Sequence, residues 1–249
     1  MNCVLITGAS SGIGYQLARD YASAGWQVLA CGRNAERLAE LACHSPLIQP
    51  VCFDHDNPQQ VHDALTAHPA PQLVILNAGD CHYLDDPGQL SVAALQPMLH
   101  ANLFGAVTVL HELLPRLERG SRIGWVSSAV TLLPLPRAEL YGTAKAAGEY
   151  LARTLAITLA TYGLSLSLIR PGFVDTPLTR RNDFAMPTLI SVSEASRQIR
   201  DGLAAGRAVI DFPRRLHWPM RLLSWLPGGL WRRVALRMIQ RAPTVAAGK

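Results

Sequence analysis

Lysine is nearly missing from this chain. Of 23 basic side chains among 249 residues, only Lys145 and Lys249 are lysines, and every other cation is an arginine. Cysteine occurs five times (Cys3, Cys31, Cys43, Cys52, Cys81). An odd count without C-x-x-C spacing argues against a disulfide framework or a zinc site, and for buried thiols in a reducing cytoplasm. The eight histidines form no ligand cluster, so no metal is expected. No uninterrupted apolar run approaches the roughly 20 residues of a membrane-spanning helix. A first strand beginning at Val4 leaves no room for a signal peptide, so a cytoplasmic location is expected. Repeats and low-complexity tracts are absent too. The net charge of +5 belongs to one end: residues 207–249 sum to +8 and the rest to −3. A basic tail on a mildly acidic body is not the footprint of a nucleic-acid-binding domain.

What is present is organised around Val4–Gly14, reading V-L-I-T-G-A-S-S-G-I-G. Val4, Leu5 and Ile6 form an apolar run suited to a strand buried on both faces. Gly8, Gly12 and Gly14 punctuate a turn of small residues, with Ser10 and Ser11 inside it. From Ile13 an amphipathic helix takes over, with Ile13, Leu17, Ala18, Tyr21 and Ala22 on one face. The first amides of such a helix lack intrahelical partners and sit at the positive end of its dipole. Glycines let a pyrophosphate approach them without meeting a Cβ. The spacing is not G-x-G-x-x-G, because Leu17 stands where the last glycine would fall.

Strand and helix signals alternate along the rest of the chain. Strands are expected at 26–31, 48–53, 73–76, 123–126, 165–169 and 208–212, and helices at 35–42, 58–67, 95–117, 141–161 and 193–205. The pattern predicts an α/β fold, a doubly wound parallel sheet of about seven strands with helices on both faces. No linker divides it, so residues 1–249 are expected to form one domain, with 213–249 as a basic, amphipathic helical tail.

The octet T-G-x-x-x-G-x-G resembles the cofactor turn of the short-chain dehydrogenase/reductase family. Asn77-Ala78-Gly79, after the fourth strand, matches the family's N-A-G turn. Ser128, Tyr141 and Lys145 match its Ser and Tyr-x-x-x-Lys pattern, and Asn102 its catalytic asparagine. Pro171 and Gly172 match its P-G turn, with Val174 beside it and Thr176 placed to meet the nicotinamide carboxamide or the phosphates. Asp54 matches the position that contacts adenine, and it equally suits a turn or helix cap. The resemblance spans residues 4 to about 212. It implies an NAD(P)-dependent alcohol/carbonyl oxidoreductase on a small molecule, a homodimer or homotetramer. Relatives that serve as dinucleotide-sensing regulators on the same fold typically lose the tyrosine or the lysine, and this chain keeps both.

The residue types suit that chemistry. Hydride transfer to a carbonyl leaves an alkoxide that needs a proton, and a phenol is a poor donor at its free pKa of about 10. Tyr141 and Lys145 are i and i+4 on one helix face. An ammonium about 5 Å from the phenol is worth roughly 3 kcal/mol at an effective dielectric near 20, about two pKa units toward phenolate. Ser128 would hold the substrate oxygen, and Asn102 would support a water path behind Lys145. Arg33 follows the second strand, where an adenosine ribose lies in such folds. Its fork of donors suits a 2′-phosphate, so NADP(H) is expected over NAD(H). The apolar run from Val130 to Pro136 and Phe173 would border the substrate, suggesting a lipophilic carbonyl compound. Residues 177–192 read as a lid.

The tail from Trp218 carries Leu222, Leu223, Trp225 and Leu226, then Leu230, Trp231, Val234 and Met238. On a helical wheel the second group faces away from Arg233, Arg237 and Arg241. Such a stripe either packs on the domain or a second subunit, or lies on a membrane surface.

Overall fold

The computed structural model describes residues 2–240, with side chains through residue 237. The first half of the chain alternates β1 (Cys3–Thr7), α1 (Gly12–Ser23), β2 (Gln27–Gly32), α2 (Ala35–Ala42), β3 (Ile48–Cys52), α3 (Pro58–Thr66) and β4 (Leu73–Leu76). The second half runs α4 (Val92–Leu99), α5 (Gly105–Leu113), β5 (Arg122–Val126), α6 (Glu139–Thr161), β6 (Ser165–Pro171), α7 (Val192–Ala204) and β7 (Val209–Phe212), and closes with α8 (Arg214–Ser224) and α9 (Gly228–Gln240). The strands form one parallel sheet in the order β3-β2-β1-β4-β5-β6-β7.

Alternation along the strands divides the core into two layers. Val4 and Ile6 of β1 join Leu17 and Tyr21 of α1, Leu38 of α2 and Ile199 of α7. Leu5, one residue out of phase, joins the opposite layer with Val61 of α3, Leu110 of α5 and Ala152 of α6. Every residue of β1 is buried, as expected of a central strand covered on both faces. Helix starts follow their caps: Asn34 accepts the Arg37 N–H at 2.8 Å, and Asn57 precedes Pro58, whose missing N–H costs nothing at a first helical position.

The helix expected over 95–117 is broken. Ser91 caps an earlier start by accepting the Ala94 N–H at 3.1 Å, which puts Pro97 inside α4 rather than in its first turn. A π-helical turn, His100–Phe104, separates α4 from α5, and a 3₁₀ turn, Leu114–Arg116, ends the arm. Together Val92–Arg116 is long and apolar enough by composition to cross a membrane. Here its apolar residues Val109, Leu110 and Leu113 cover the sheet, and Asn102 sits buried in the π turn.

The tail packs on the domain through one face only. Leu216, Met220 and Leu223 of α8 and Trp231 of α9 meet Ala129, Leu132 and Leu133, and the Trp231 indole N–H donates to the Pro134 carbonyl at 3.0 Å. Leu230 departs from the expected stripe: it is 45% exposed beside the buried Trp231, on the side that carries Arg233 and Arg237. Arg233 and Arg237 are exposed as expected; the Met238 side chain and Arg241 lie outside the described residues.

Candidate active site

After β3 the chain crosses to the other side of β1, so the strand order reverses between β1 and β4. Ligands of open α/β sheets bind at the carboxyl ends of strands at such a point. The Thr7 hydroxyl accepts the N–H groups of Asn77 and Ala78 at 2.9 and 3.0 Å, and the Asn77 amide donates to the Thr7 carbonyl at 3.0 Å. These bonds fasten the turn after β4 to the turn after β1. Gly8 has a φ of +66°, a conformation that side chains rarely adopt. A Cβ on Gly14 would fall 2.4 Å from the Gly8 carbonyl oxygen, so only glycine fits beneath the loop. Ser11, extended ahead of α1, makes no side-chain cap, leaving the first helix amides for a ligand.

A cleft of about 1090 Å³ opens over this junction. Gly8, Ser10, Ser11, Gly12 and Ile13 line it from the first turn, and Arg33 from the end of β2. Asn77, Ala78 and Gly79 line it after β4, and Pro171, Gly172, Val174 and Thr176 after β6. Asn102, Ser128, Tyr141 and Lys145 share the same cleft. Gly14 lies buried below the turn rather than in the lining. Asp54 does not line the cleft: its carboxylate accepts the Asp56 N–H at 3.1 Å, the turn role, while Phe53, His55 and Asp56 line the cleft instead. Val130 and Phe173 are also off the lining. The Val130 N–H donates to the Ser128 hydroxyl at 3.2 Å, and Phe173 packs edge-on against Phe184 with centroids 6.1 Å apart. Most of the apolar run after Val130 serves the tail, not the cleft.

At the inner end, Lys145 is buried and its ammonium donates to the Val126 carbonyl at 3.1 Å. Its Nζ lies 5.8 Å from the centre of the Tyr141 ring. Burial pushes the Tyr141 phenol above its ordinary value, and the adjacent Ser128 hydroxyl pulls the other way. Burial brings Lys145 down to about 8. Desolvation, which disfavours both charged forms, is the first cause of each shift. Asn102 donates both amide protons, to the Asp80 carbonyl at 2.9 Å and the Met98 carbonyl at 3.0 Å. Its Oδ1 is buried without a hydrogen-bond partner among the described residues. A Cβ on Gly79 would lie 2.6 Å from that oxygen and 3.2 Å from the Lys145 ammonium, so all three surround one spot.

Glu149, which no sequence motif singles out, continues the Tyr141–Lys145 stripe at i+8. Buried behind the site, it accepts from Ser127 at 3.3 Å and Thr131 at 2.7 Å and pairs with Arg170 at 3.5 Å. Arg170 in turn bonds Asp211 at 2.9 Å. An acid on the inner face of an alanine-rich helix was the available signal. Asp80, directly after the N-A-G turn, holds Arg181 of the expected lid at 2.6 Å. Arg137 bonds Asp85 at 2.6 Å and Asp183 at 2.9 and 3.1 Å, and stacks on Tyr83 and Phe184. It thereby ties residues 177–192 to the loop after β4. Arg137→Ala is expected to raise the substrate KM about three- to tenfold, as a loosened lid weakens substrate binding without touching the dinucleotide turn. Steady-state kinetics with cofactor saturated check this; an unchanged KM removes Arg137 from the lid.

The family model described as short chain dehydrogenase matches residues 2–185. The chain belongs to the short-chain dehydrogenase/reductase family. It is 30% identical over 245 residues to an uncharacterized oxidoreductase of Myxococcus xanthus, covering 94% of this chain and 96% of that one. It is 31% identical over 183 residues to a serine 3-dehydrogenase of Agrobacterium fabrum, covering 71% and 73%. The crystal structure of a short chain dehydrogenase from Burkholderia cenocepacia in complex with NADP shares the fold, with a TM-score of 0.81 at 24% identity over 94% of this chain and 97% of that one. As a short-chain dehydrogenase/reductase, this chain is an NAD(P)-binding oxidoreductase acting on CH–OH groups. The free α1 amides, the glycine cradle and the long cleft fit such a dinucleotide.

Proposed function

We propose that the chain is a single-domain, NADP(H)-dependent oxidoreductase that interconverts a carbonyl and an alcohol on a lipophilic small molecule. The observation that carries this reading is the meeting of the Tyr141 phenol, the Ser128 hydroxyl and the Lys145 ammonium at the inner end of one dinucleotide-sized cleft. A dinucleotide held over the first α1 amides and between the turns after β1 and β4 would supply or accept the hydride. Ser128 Oγ accepts the Val130 N–H, which leaves its own proton to donate, to the adjacent phenol or to a substrate oxygen. Tyr141 delivers its phenolic proton to that oxygen during reduction and takes one during oxidation. Lys145 spends one donor on Val126 and keeps the others for the phenol side and for a ligand in the cleft. Asn102 Oδ1 and Lys145 Nζ, converging beside Gly79, suit a water relay that refills the proton.

Arg33, with Arg37 lining the same end, supports a 2′-phosphate ligand and hence NADP(H). The NADP held by the Burkholderia structure is consistent with this reading. The free thiols among the described residues support a cytoplasmic location. Exposed Phe104 and Val107 midway along the arm, and Tyr150 and Ile157 on α6, offer apolar surface that supports a homodimer or homotetramer. Turnover coupled to oxidation or reduction of NADP(H), screened over ketones, aldehydes, steroids and acyl-thioester carbonyls, tests the proposal. Tight NADP(H) binding without turnover on any of them would favour a dinucleotide-sensing regulator.

A pH dependence follows from Lys145. Its folded value of about 8 lies below the ordinary 10.5, so its charge is lost as pH rises through about 8. Reduction is expected to slow over that window, because the phenol then gives up its proton without a neighbouring cation. The pH profile of kcat checks this; a rate that stays flat well above that pH removes the Lys145 charge from the step.

A further inference from the structure

Helix α8 has two apolar faces, and packing uses only one. Leu216, Met220 and Leu223 turn inward onto the segment that follows Ser128. Trp218, Leu222 and Trp225 lie on the opposite side at i, i+4 and i+7, and are 65%, 57% and 82% exposed. On the same wheel Arg214 and Arg221 flank this stripe on one side and Arg215 on the other. Next to Trp218 is a second cleft, of about 560 Å³, lined by Arg207, Arg214 and Arg221. On α9 the exposed Leu230 stands among Arg233 and Arg237. Between residues 207 and 237 seven arginines face a single acid, Asp211, whose carboxylate is already shared by Arg170 and Arg221.

The charge decides the occupant. A second copy docking here about a two-fold axis would set arginines against arginines. An anionic bilayer offers phosphates to the guanidinium forks and an interfacial layer where tryptophan is favoured. We propose that the outer face of α8, with the arginines of α9, docks on an anionic lipid surface. The inner face of α8 rests on the turn after Ser128, so a docked molecule holds the substrate end of its cleft near the bilayer. The docking itself does not depend on the catalytic reading.

Co-sedimentation of the full chain with vesicles tests it, using phosphatidylcholine alone and phosphatidylcholine mixed with phosphatidylglycerol, at low and high salt. The protein is expected to pellet with the phosphatidylglycerol vesicles at low salt and to stay in the supernatant with phosphatidylcholine alone or at high salt. The pair Trp218→Ser/Trp225→Ser, and separately Arg214→Glu/Arg215→Glu, should each lower the partition coefficient at least about tenfold, with thermal melting and turnover of a water-soluble substrate unchanged. A parent chain that stays in the supernatant with the anionic vesicles overturns the proposal, as does a tryptophan variant that pellets like the parent. So does a tryptophan variant that changes the oligomer size by light scattering while no vesicle binding occurs; the face would then join copies of the chain.

Discussion

Tyr141→Phe is expected to lower turnover by roughly 10²–10⁴-fold while leaving the fold and dinucleotide affinity in place. The ring stays, so packing on the cleft wall is kept; only the proton that must reach the substrate oxygen is lost. Water has to replace it in a site that burial has made costly for charge, as the raised phenol and the lowered Lys145 both show. Single-turnover kinetics, with cofactor binding followed separately by fluorescence, distinguish lost chemistry from lost binding. A phenylalanine variant that reduces substrate near the parent rate would show that another group delivers the proton.

The second large effect concerns the cofactor. Arg33→Asp should weaken NADP binding on the order of 10²–10³-fold and move preference toward NAD, since a charge-assisted contact is replaced by repulsion. Arg33 lines the cleft at the end of β2, and no ion pair of its side chain is found among the described residues, so its charge is free for a ligand. Arg37 remains at the same end and sets a floor to the loss. Titrating both dinucleotides against parent and variant gives the ratio directly. Equal NADP affinity in the two proteins would place Arg33 in solvent.

The sequence carries the parallel sheet because central strands and their caps are local. Leu73–Leu76 and Ala35–Ala42 fall where the pattern puts them, bounded by turn residues and by the Asn34 cap. The catalytic stripe is equally local, since Tyr141 and Lys145 need only helical spacing to meet. What was hidden is long-range or ambiguous. Arg137 meets Asp183 across 46 positions, and no composition rule announces such a partner. Asp54 suits a turn as well as a ligand, and the turn prevailed. The family layout puts Phe173 at the border of the substrate pocket, yet its ring packs on Phe184 of the lid. In the tail, spacing alone separates Leu216, Met220 and Leu223 from Trp218, Leu222 and Trp225, but only tertiary packing says which group is covered.

The π turn at His100–Phe104 bears on how the chain can change length. A residue added to or removed from an α-helix swings everything beyond it by about 100°, which would carry Val109, Leu110 and Leu113 off the sheet. A π turn instead stores one surplus residue as a widened loop between two helices that each keep their phase. Losing that residue would leave the apolar face of α5 on the sheet, yet it would withdraw Asn102 from Asp80 and Gly79. Packing is therefore expected to tolerate an arm one residue shorter, and turnover to be lost. Insertions and deletions in this stretch are policed by the active site rather than by the fold.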